Sequence, residues 1–306
     1  QLDMSAQTSR FNFKTVTDVG DGKSITSFIE LDFMGGGTVA NEVVSNSYSP
    51  RLRHAFVKYD NVLVGQTWSN FMNTGALPES ADFIGPSEST VFIRQPQVRY
   101  TMGDLAIALE NPHTWYESGG SNAQSDSGPM PDITASYKIK SDKMDLVAAA
   151  LIRQLAYDGA TADDDATTMG YGVNLSGKVM VGKDDLKFSA TMGKGVGRYV
   201  GLSAVPDANL VGTDLEASET TAAFVAYRHH WNSEWRSSVI YGMLSATYDD
   251  SVTAGVTDAS SIRVNVMRSP VAKLTYGAEY STATVERVGG AEVSMNRIYF
   301  TTKYAF

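Results

Sequence analysis

Hydrophobic and polar residues alternate along most of this chain with a period of two. In the stretch Tyr171-Gly-Val-Asn-Leu-Ser176, for example, the apolar residues take one set of alternate positions, while Asn174 and Ser176 take the other. Successive side chains of a β-strand point to opposite faces of a sheet. Fifteen runs of this kind can be counted. The sequence therefore predicts an all-β protein whose sheet has one apolar face and one polar face.

The connections between these runs alternate between short and long. Asp60-Asn61 joins one pair of runs, residues 69–93 separate the next pair, and the alternation continues along the chain. A meander with tight turns at one end and long loops at the other is typical of a bacterial outer-membrane β-barrel. No stretch approaches the roughly 20 apolar residues that a membrane-spanning helix needs. We therefore expect residues 1–306 to form a single transmembrane antiparallel β-barrel.

The directions of the first and last runs predict one further strand. The first run leads into a short periplasmic turn and the last run follows an extracellular loop, so both travel the same way and would close in parallel. Barrels of this class close antiparallel, with an even number of strands. We expect sixteen strands, of which the first lies N-terminal to Gln1. The last run ends at Phe306 with Phe300 and Tyr304 on the same face, as in the C-terminal strands of outer-membrane barrels.

Charge is distributed by position along the chain. The net charge is −9, but the acidic residues concentrate in the connections, while basic residues occupy the polar face of the runs. The predicted channel-lining or anion-contacting residues are Arg10, Lys14, Arg94, Arg99, Lys138, Arg153, Arg228, Arg263, Arg297 and Lys303. A cationic lining within a low-dielectric wall raises the local concentration of anions. This favours a passive diffusion channel for small anionic solutes; the alternative is a general porin with little charge preference.

Residues 69–93 form an unusually apolar connection for a surface loop. Apolar side chains need cover from water, and a long loop can find it against the inner wall of a barrel. We expect this loop to fold into the lumen and to narrow it; the alternative is packing on the barrel rim or on a neighbouring subunit. The predicted constriction residues are Phe71, Leu77, Pro78, Glu79, Asp82, Phe83 and Pro86.

Residues that would carry enzymatic or metal chemistry are sparse. The chain has no cysteine and four histidines, and the serines near His113 are a coincidence that polar loops often produce. We expect no enzymatic activity and no cofactor. Asp163, Asp164 and Asp165 are a weak candidate for a Ca²⁺ site. Cations that face inward do not make a nucleic-acid surface. A barrel that acts as an adhesin or receptor through its long loops is the alternative from another class.

Several segments in the first third of the chain resemble one family. They are Ser9-Arg-Phe-Asn-Phe-Lys14, Arg51-Leu-Arg-His-Ala-Phe56, Val64-Gly-Gln-Thr-Trp-Ser69, Asp82-Phe-Ile-Gly-Pro86 and Arg94-Gln-Pro-Gln-Val-Arg-Tyr-Thr101. These segments are similar to the DcaP-like outer-membrane porins. The resemblance implies a sixteen-stranded homotrimeric channel for small anions such as dicarboxylates, surrounded by outer-membrane lipids and lipopolysaccharide. That family commonly has a periplasmic helical segment and an opening strand before the matched region, and this sequence contains neither.

Overall fold

The computed structural model describes residues 2–35, 46–159 and 165–305. Within these ranges the chain forms strands joined by turns and loops. The strands are β1 (Arg10–Gly20), β2 (Lys23–Asp32), β3 (Arg51–Tyr59), β4 (Val62–Trp68), β5 (Arg94–Met102), β6 (Leu105–Glu110), β7 (Thr114–Ser118), β8 (Ser121–Ser125), β9 (Asp132–Lys140), β10 (Met144–Tyr157), β11 (Ala166–Val181), β12 (Asp184–Lys194), β13 (Ala208–Val211), β14 (Asp214–Ala217), β15 (Glu219–His230), β16 (Trp235–Thr247), β17 (Val256–Val271), β18 (Leu274–Arg287) and β19 (Glu292–Tyr304).

Among the described residues, fifteen strands form one antiparallel sheet. Their order follows the chain, with β6 next to β9 and β12 next to β15. These are the fifteen strands that the alternation predicts, and the sixteenth stays a prediction. Helical structure in the described ranges is limited to 3-10 turns at Thr74–Ala76 and Gly201–Ser203. No helix in the described part of the chain is long and apolar enough to cross a membrane.

The two faces of the large sheet differ as the alternation predicts. On β11, Tyr171, Val173 and Leu175 are 55%, 51% and 48% exposed, whereas Asn174 on the opposite face is 4% exposed. The same contrast recurs on strands such as β10, β15, β16 and β17, so a wide apolar band is exposed on one side of the sheet. An exposed apolar surface of this extent indicates contact with a membrane. The polar face is the inner face of the barrel.

A second, smaller sheet forms within two of the long connections. The hairpin β7–β8 lies in residues 112–131, the hairpin β13–β14 lies in residues 194–218, and β13 pairs in parallel with β7. Both stretches are expected from the sequence to be loops, because short polar runs such as Ser121–Ser125 show no apolar alternation. The Asp207 carboxylate links the two hairpins by accepting a hydrogen bond from the backbone N–H of Trp115 at 3.0 Å.

The main apolar cluster lies between the large sheet and residues 69–93. Phe71 is fully buried and shares this cluster with Val196, Tyr199 and Leu244. Gly172 on β11 allows Val196 and Phe71 to approach the strand closely, because a Cβ at this position would stand 2.7 Å from Val196 Cγ1 and 3.5 Å from Phe71 Cζ. Residues 69–93 are therefore packed against the sheet at their start.

Candidate functional site

Residues 69–93, called the β4–β5 segment below, begin with buried hydrogen bonds to β6. The Asn70 backbone N–H and the Ser69 hydroxyl donate to Glu110 Oε1 at 2.8 and 3.0 Å. The Asn70 side-chain amide donates to the carbonyl of Ala106 at 3.0 Å. Glu110 is 1% exposed. Hydrogen bonds to a carboxylate in such a low-dielectric position are strong, so they fix the start of the segment.

The tip of the β4–β5 segment is held by arginines of β15, β16 and β17. Arg236 donates two hydrogen bonds to the Glu79 carboxylate, both at 2.6 Å, and Arg228 Nη1 lies 3.4 Å from Glu79 Oε2. Arg263 Nη1 donates to Asp82 Oδ2 at 3.0 Å. Burial acts to raise the pKa of Glu79, but the hydrogen bonds and charge of Arg236 outweigh it, so this pKa lies below its ordinary value of 4.5. Glu79 is therefore an ionised anchor.

Backbone groups of the tip also have partners on the sheet. Lys187 donates to the Leu77 carbonyl at 2.6 Å, and Lys303 donates to the Ser80 carbonyl at 2.9 Å. The Ser80 hydroxyl donates to Glu279 at 2.8 Å. Backbone carbonyls outside regular secondary structure need such partners when they are shielded from water. The contacts of the segment thus extend over the inner face from β6 to β19.

The returning half of the segment packs on β16 and β17. Ser261 donates to Glu88 Oε1 at 2.6 Å. Gly242 lies directly beneath this part, because a Cβ there would stand 2.6 Å from Ser89 Oγ and 2.8 Å from Pro86 Cβ. Pro86 is buried, as is Pro78 nearer the tip. The segment therefore fits the wall closely at this point.

The inner face of β1, β2 and β3 carries the arginine wall, which we define as Arg10, Arg51 and Arg53. Arg51 Nη2 lies 2.7 Å from Asp32 Oδ2, Arg53 Nε lies 2.7 Å from Glu30 Oε1, and Arg10 Nη1 lies 3.7 Å from Glu30 Oε1. The side chains of Arg10 and Arg51 are 46% and 32% exposed, whereas those of Glu30 and Asp32 are 11% and 1% exposed. The charge that this wall presents to solvent is therefore mainly positive.

Phe83 brings the β4–β5 segment to the arginine wall. Its ring centroid lies 6.0 Å from Arg10 Cζ and 5.6 Å from Arg53 Cζ, within the range of a cation–π contact. The buried His54 ring follows Arg53 on β3, with Nδ1 3.0 Å from Thr67 Oγ1. The candidate functional site is the region in which the β4–β5 segment meets the arginine wall.

Three of the predicted anion contacts are bound to the β4–β5 segment, namely Arg228, Arg263 and Lys303. Arg10 belongs to the arginine wall. Three others are exposed strand residues: Lys14, Lys138 and Arg297. The sequence prediction does not include Arg51 and Arg53, although the alternation with Leu52 was a signal that could have assigned both to the polar face.

Arg94 and Arg99 occupy alternate positions on β5. Arg94 and Val98 are four residues apart and so fall on the same face of the strand, where Val98 is 50% exposed. The Arg94 guanidinium lies 4.6 Å from the Trp68 ring centroid. Arg99 has the parity of the buried Gln97 and donates to Gln97 Oε1 at 2.8 Å. Alternation along β5 assigns the two arginines to opposite faces of the strand, yet the Trp68 ring beside Arg94 also lies 5.7 Å from Arg53 Cζ of the arginine wall. The anion-contact role of Arg94 and Arg99 stays a prediction.

Arg153 forms the centre of a buried charge network under the small sheet. Its side chain has no exposed area, and its guanidinium lies 3.3 Å from Asp132 Oδ1 and 2.9 Å from Asp207 Oδ1. The Tyr199 hydroxyl donates to Asp132 Oδ2 at 2.8 Å. Burial raises the pKa of Tyr199 well above its ordinary value, so the hydroxyl keeps its proton. In this arrangement Arg153 holds the hairpins on the barrel and has no contact with solvent.

The weak Ca²⁺ candidate lies mostly outside the described residues, since Asp163 and Asp164 are not among them. The Asp165 carboxylate accepts a hydrogen bond from the Gly159 N–H at 2.9 Å. In residues 2–35, 46–159 and 165–305, no three His, Cys, Asp or Glu side chains are grouped so as to hold a metal ion.

A large antiparallel sheet with an exposed apolar band, a polar inner face and a long segment bound to that face defines an outer-membrane β-barrel channel. The family model for the DcaP outer membrane protein matches residues 1–306, and the chain belongs to this family. It is thus a porin of the bacterial outer membrane. The family and the similar structures are channels and not enzymes, in agreement with the sequence prediction.

The chain is similar in fold to solved structures of outer-membrane proteins and porins. The outer membrane channel DcaP of Acinetobacter baumannii is 26% identical, with a TM-score of 0.84 over 99% of this chain and 86% of that chain. The trimer form of OmpT from Vibrio cholerae has 11% identity and a TM-score of 0.59 over 98% and 92% of the two chains. An anion-selective porin from Comamonas acidovorans has 11% identity and a TM-score of 0.60 over 99% and 91%. A search of curated protein sequences finds no match.

Proposed function

We propose that this channel passes small anionic solutes, dicarboxylates among them, between the β4–β5 segment and the arginine wall. The observation that carries the proposal is the difference in exposure within the wall, where Arg10 and Arg51 are open to solvent and their partners Glu30 and Asp32 are buried. Exposed cations in a narrow low-dielectric space attract anions and set the sign of the permeant charge.

The β4–β5 segment is proposed to be the constriction of this channel. Its bonds to Arg236, Arg263 and Lys303 hold it on the far wall, while Phe83 reaches the arginine wall. The arginine bonds pair the charges of Glu79 and Asp82, so these two acids do not cancel the exposed arginines. A solute would therefore meet the Phe83 ring and the arginine wall at the same height along the pore.

Carboxylates are favoured over spherical anions because an arginine fork meets a carboxylate with two parallel hydrogen bonds. The side chains of Arg10 and Arg51 are partly exposed, and Arg51 keeps its Nη1 group for a solute while its Nε and Nη2 donate to Asp32. A solute with two carboxylates would engage both arginines, whereas chloride would be held by charge alone. The charge preference and the dicarboxylate preference are separate claims, and a general porin would show neither.

The test compares Arg10→Gln/Arg51→Gln with the native channel in planar bilayers under a salt gradient. We expect the substituted channel to lose most of its anion preference and its current block by a small dicarboxylate. Lys183→Gln serves as a control for loss of positive charge outside the lumen, because Lys183 lies at an exposed turn between β11 and β12. Unchanged selectivity in the double variant would overturn the role of the arginine wall.

We also propose that the channel is a homotrimer in the membrane. The support is the family membership together with the trimer form described for OmpT of Vibrio cholerae. Light scattering of the detergent-purified protein measures the mass directly. A protein mass of three chains is expected, and a mass of one chain would contradict the proposal.

A further inference from the structure

A cavity of about 480 Å³ lies at the extracellular ends of β3, β4 and β5. Its floor includes Leu52 and Gln66, and its walls include Arg94, Trp115 and Arg198. Phe92 and Ile93, the last two residues of the β4–β5 segment, also line it. The arginine wall and Phe83, which border the proposed permeation path, are not among its lining residues.

The lining of this cavity is basic and contains unpaired donors. None of its lining residues, all of them in the described part of the chain, is Asp or Glu. Arg94 Nη1 and Trp115 Nε1 are buried and have no hydrogen-bond acceptor among residues 2–35, 46–159 and 165–305. Buried donors without an acceptor are rare and unfavourable. An anionic oxygen could accept a hydrogen bond from the guanidinium of Arg94 and from the indole N–H of Trp115.

Arg198 adds a second cation to the same wall. Its Nη2 donates to Gln95 Oε1 at 2.6 Å, and its Nη1 lies 3.5 Å from Asp132 Oδ2. Burial lowers the pKa of Arg198. An anion in the cavity would therefore offset a cation that is poorly solvated, in addition to accepting hydrogen bonds from Arg94.

The position of the cavity indicates which anion it would hold. Its floor residue Leu52 is 44% exposed on the apolar outer face, where Val64 and Val98 follow at 51% and 50%. Long loops mark this end of the strands as extracellular, so the cavity stands at the boundary of the outer leaflet. A molecule with an anionic head in the cavity and hydrocarbon over Val64 and Val98 would match both surfaces.

We propose that this cavity binds the phosphate of an outer-leaflet lipid, with its acyl chains on the adjoining apolar face. Arg94 supplies a charge-assisted contact, and Trp115 Nε1 supplies a neutral donor. The site is distinct from the channel lining and would fix the annular lipid at β3–β5 rather than conduct solute.

The test uses native mass spectrometry of the full chain in detergent, titrated with lipid A, with dephosphorylated lipid A, and with inorganic phosphate as competitor. We expect lipid A to bind more tightly than its dephosphorylated form. Arg94→Gln should weaken lipid A binding about tenfold or more, and Trp115→Phe about fivefold, because a charged contact contributes more than a neutral one. Trp115→Phe removes the Nε1 donor but keeps an aromatic side chain, which guards against a folding defect.

Arg268→Gln is the matched control. Arg268 also lies beside a tryptophan, with Cζ 5.3 Å from the Trp235 ring centroid, but it is paired with Glu234 at 3.0 Å and lies at the opposite rim. Its substitution should leave lipid A binding unchanged. Equal binding of the two lipid forms would overturn the proposal, and displacement of lipid A by millimolar phosphate would overturn the lipid source. Absence of lipid A binding, with a lower oligomer mass for Arg94→Gln, would show that a second copy occupies the cavity.

Discussion

Replacing Glu79 by glutamine should loosen the β4–β5 segment and raise the anion preference together. The substitution removes the charge that receives two 2.6 Å hydrogen bonds from Arg236 and lies 3.4 Å from Arg228. The side chains of Arg236 and Glu79 are only 16% and 20% exposed, so little of this interaction is screened by solvent. Breaking a buried pair from one side costs roughly 3–5 kcal/mol.

Taking the lower end of that range, the detached state of the tip becomes roughly two orders of magnitude more populated relative to the docked state. The contacts of Ser80 with Glu279 and of Asp82 with Arg263 remain, so the segment should fluctuate rather than leave the wall. The same change frees Arg236 from its counter-charge, which adds one positive charge to the lumen.

Single-channel recording measures both effects. Glu79→Gln should show frequent transitions between current levels and a reversal potential shifted toward anions. Glu216→Gln is the control, because it makes the same change on the exposed hairpin strand β14. If Glu79→Gln has the current noise and reversal potential of the native channel, Glu79 does not anchor the segment.

Three further predictions follow from the same contacts. The pKa of Glu79 in the folded chain lies below its ordinary value of 4.5, so the contact of Glu79 with Arg236 should be complete above about pH 4.5 and should weaken as the pH falls through the lowered pKa. The current noise of the native channel should then increase, whereas the noise of Glu79→Gln should not change with pH. Gly242→Val should displace the segment near Pro86, giving a larger and unsteady conductance, whereas Ala223→Val on the outer face should conduct as the native channel does. Asp207→Asn should lower the free energy of unfolding by roughly 3–5 kcal/mol, because it leaves Arg153 buried with one carboxylate fewer. Thermal unfolding followed by circular dichroism should show a lower midpoint for this variant than for Asp214→Asn, which changes an exposed residue.

The strands of the large sheet could be predicted because the membrane imposes the same requirement on each of them. Every second residue must be apolar where a strand faces hydrocarbon, and Tyr171, Val173 and Leu175 satisfy this requirement on β11. The hairpins β7–β8 and β13–β14 face no such constraint. They are held by Asp207 and Arg153, which are distant in sequence and give no local pattern.

The candidate site was predictable only in part. Alternation assigns a cation to the polar face, but it does not say what stands opposite. Arg228, Arg263 and Lys303 are matched by groups of the β4–β5 segment, and only the three-dimensional course of that segment reveals this. The exposure of the arginine wall could not be predicted from the sequence either. The burial of Glu30 and Asp32 beneath exposed arginines depends on how three strands pack.

The central claim is that exposed arginines make the lumen selective for small anions. The most direct test is the reversal potential of the native channel in a planar bilayer under a potassium chloride gradient, recorded with and without succinate. We expect a reversal potential of the sign set by chloride, and a current that millimolar succinate reduces. A reversal potential set by potassium, or one near zero with no effect of succinate, would contradict it.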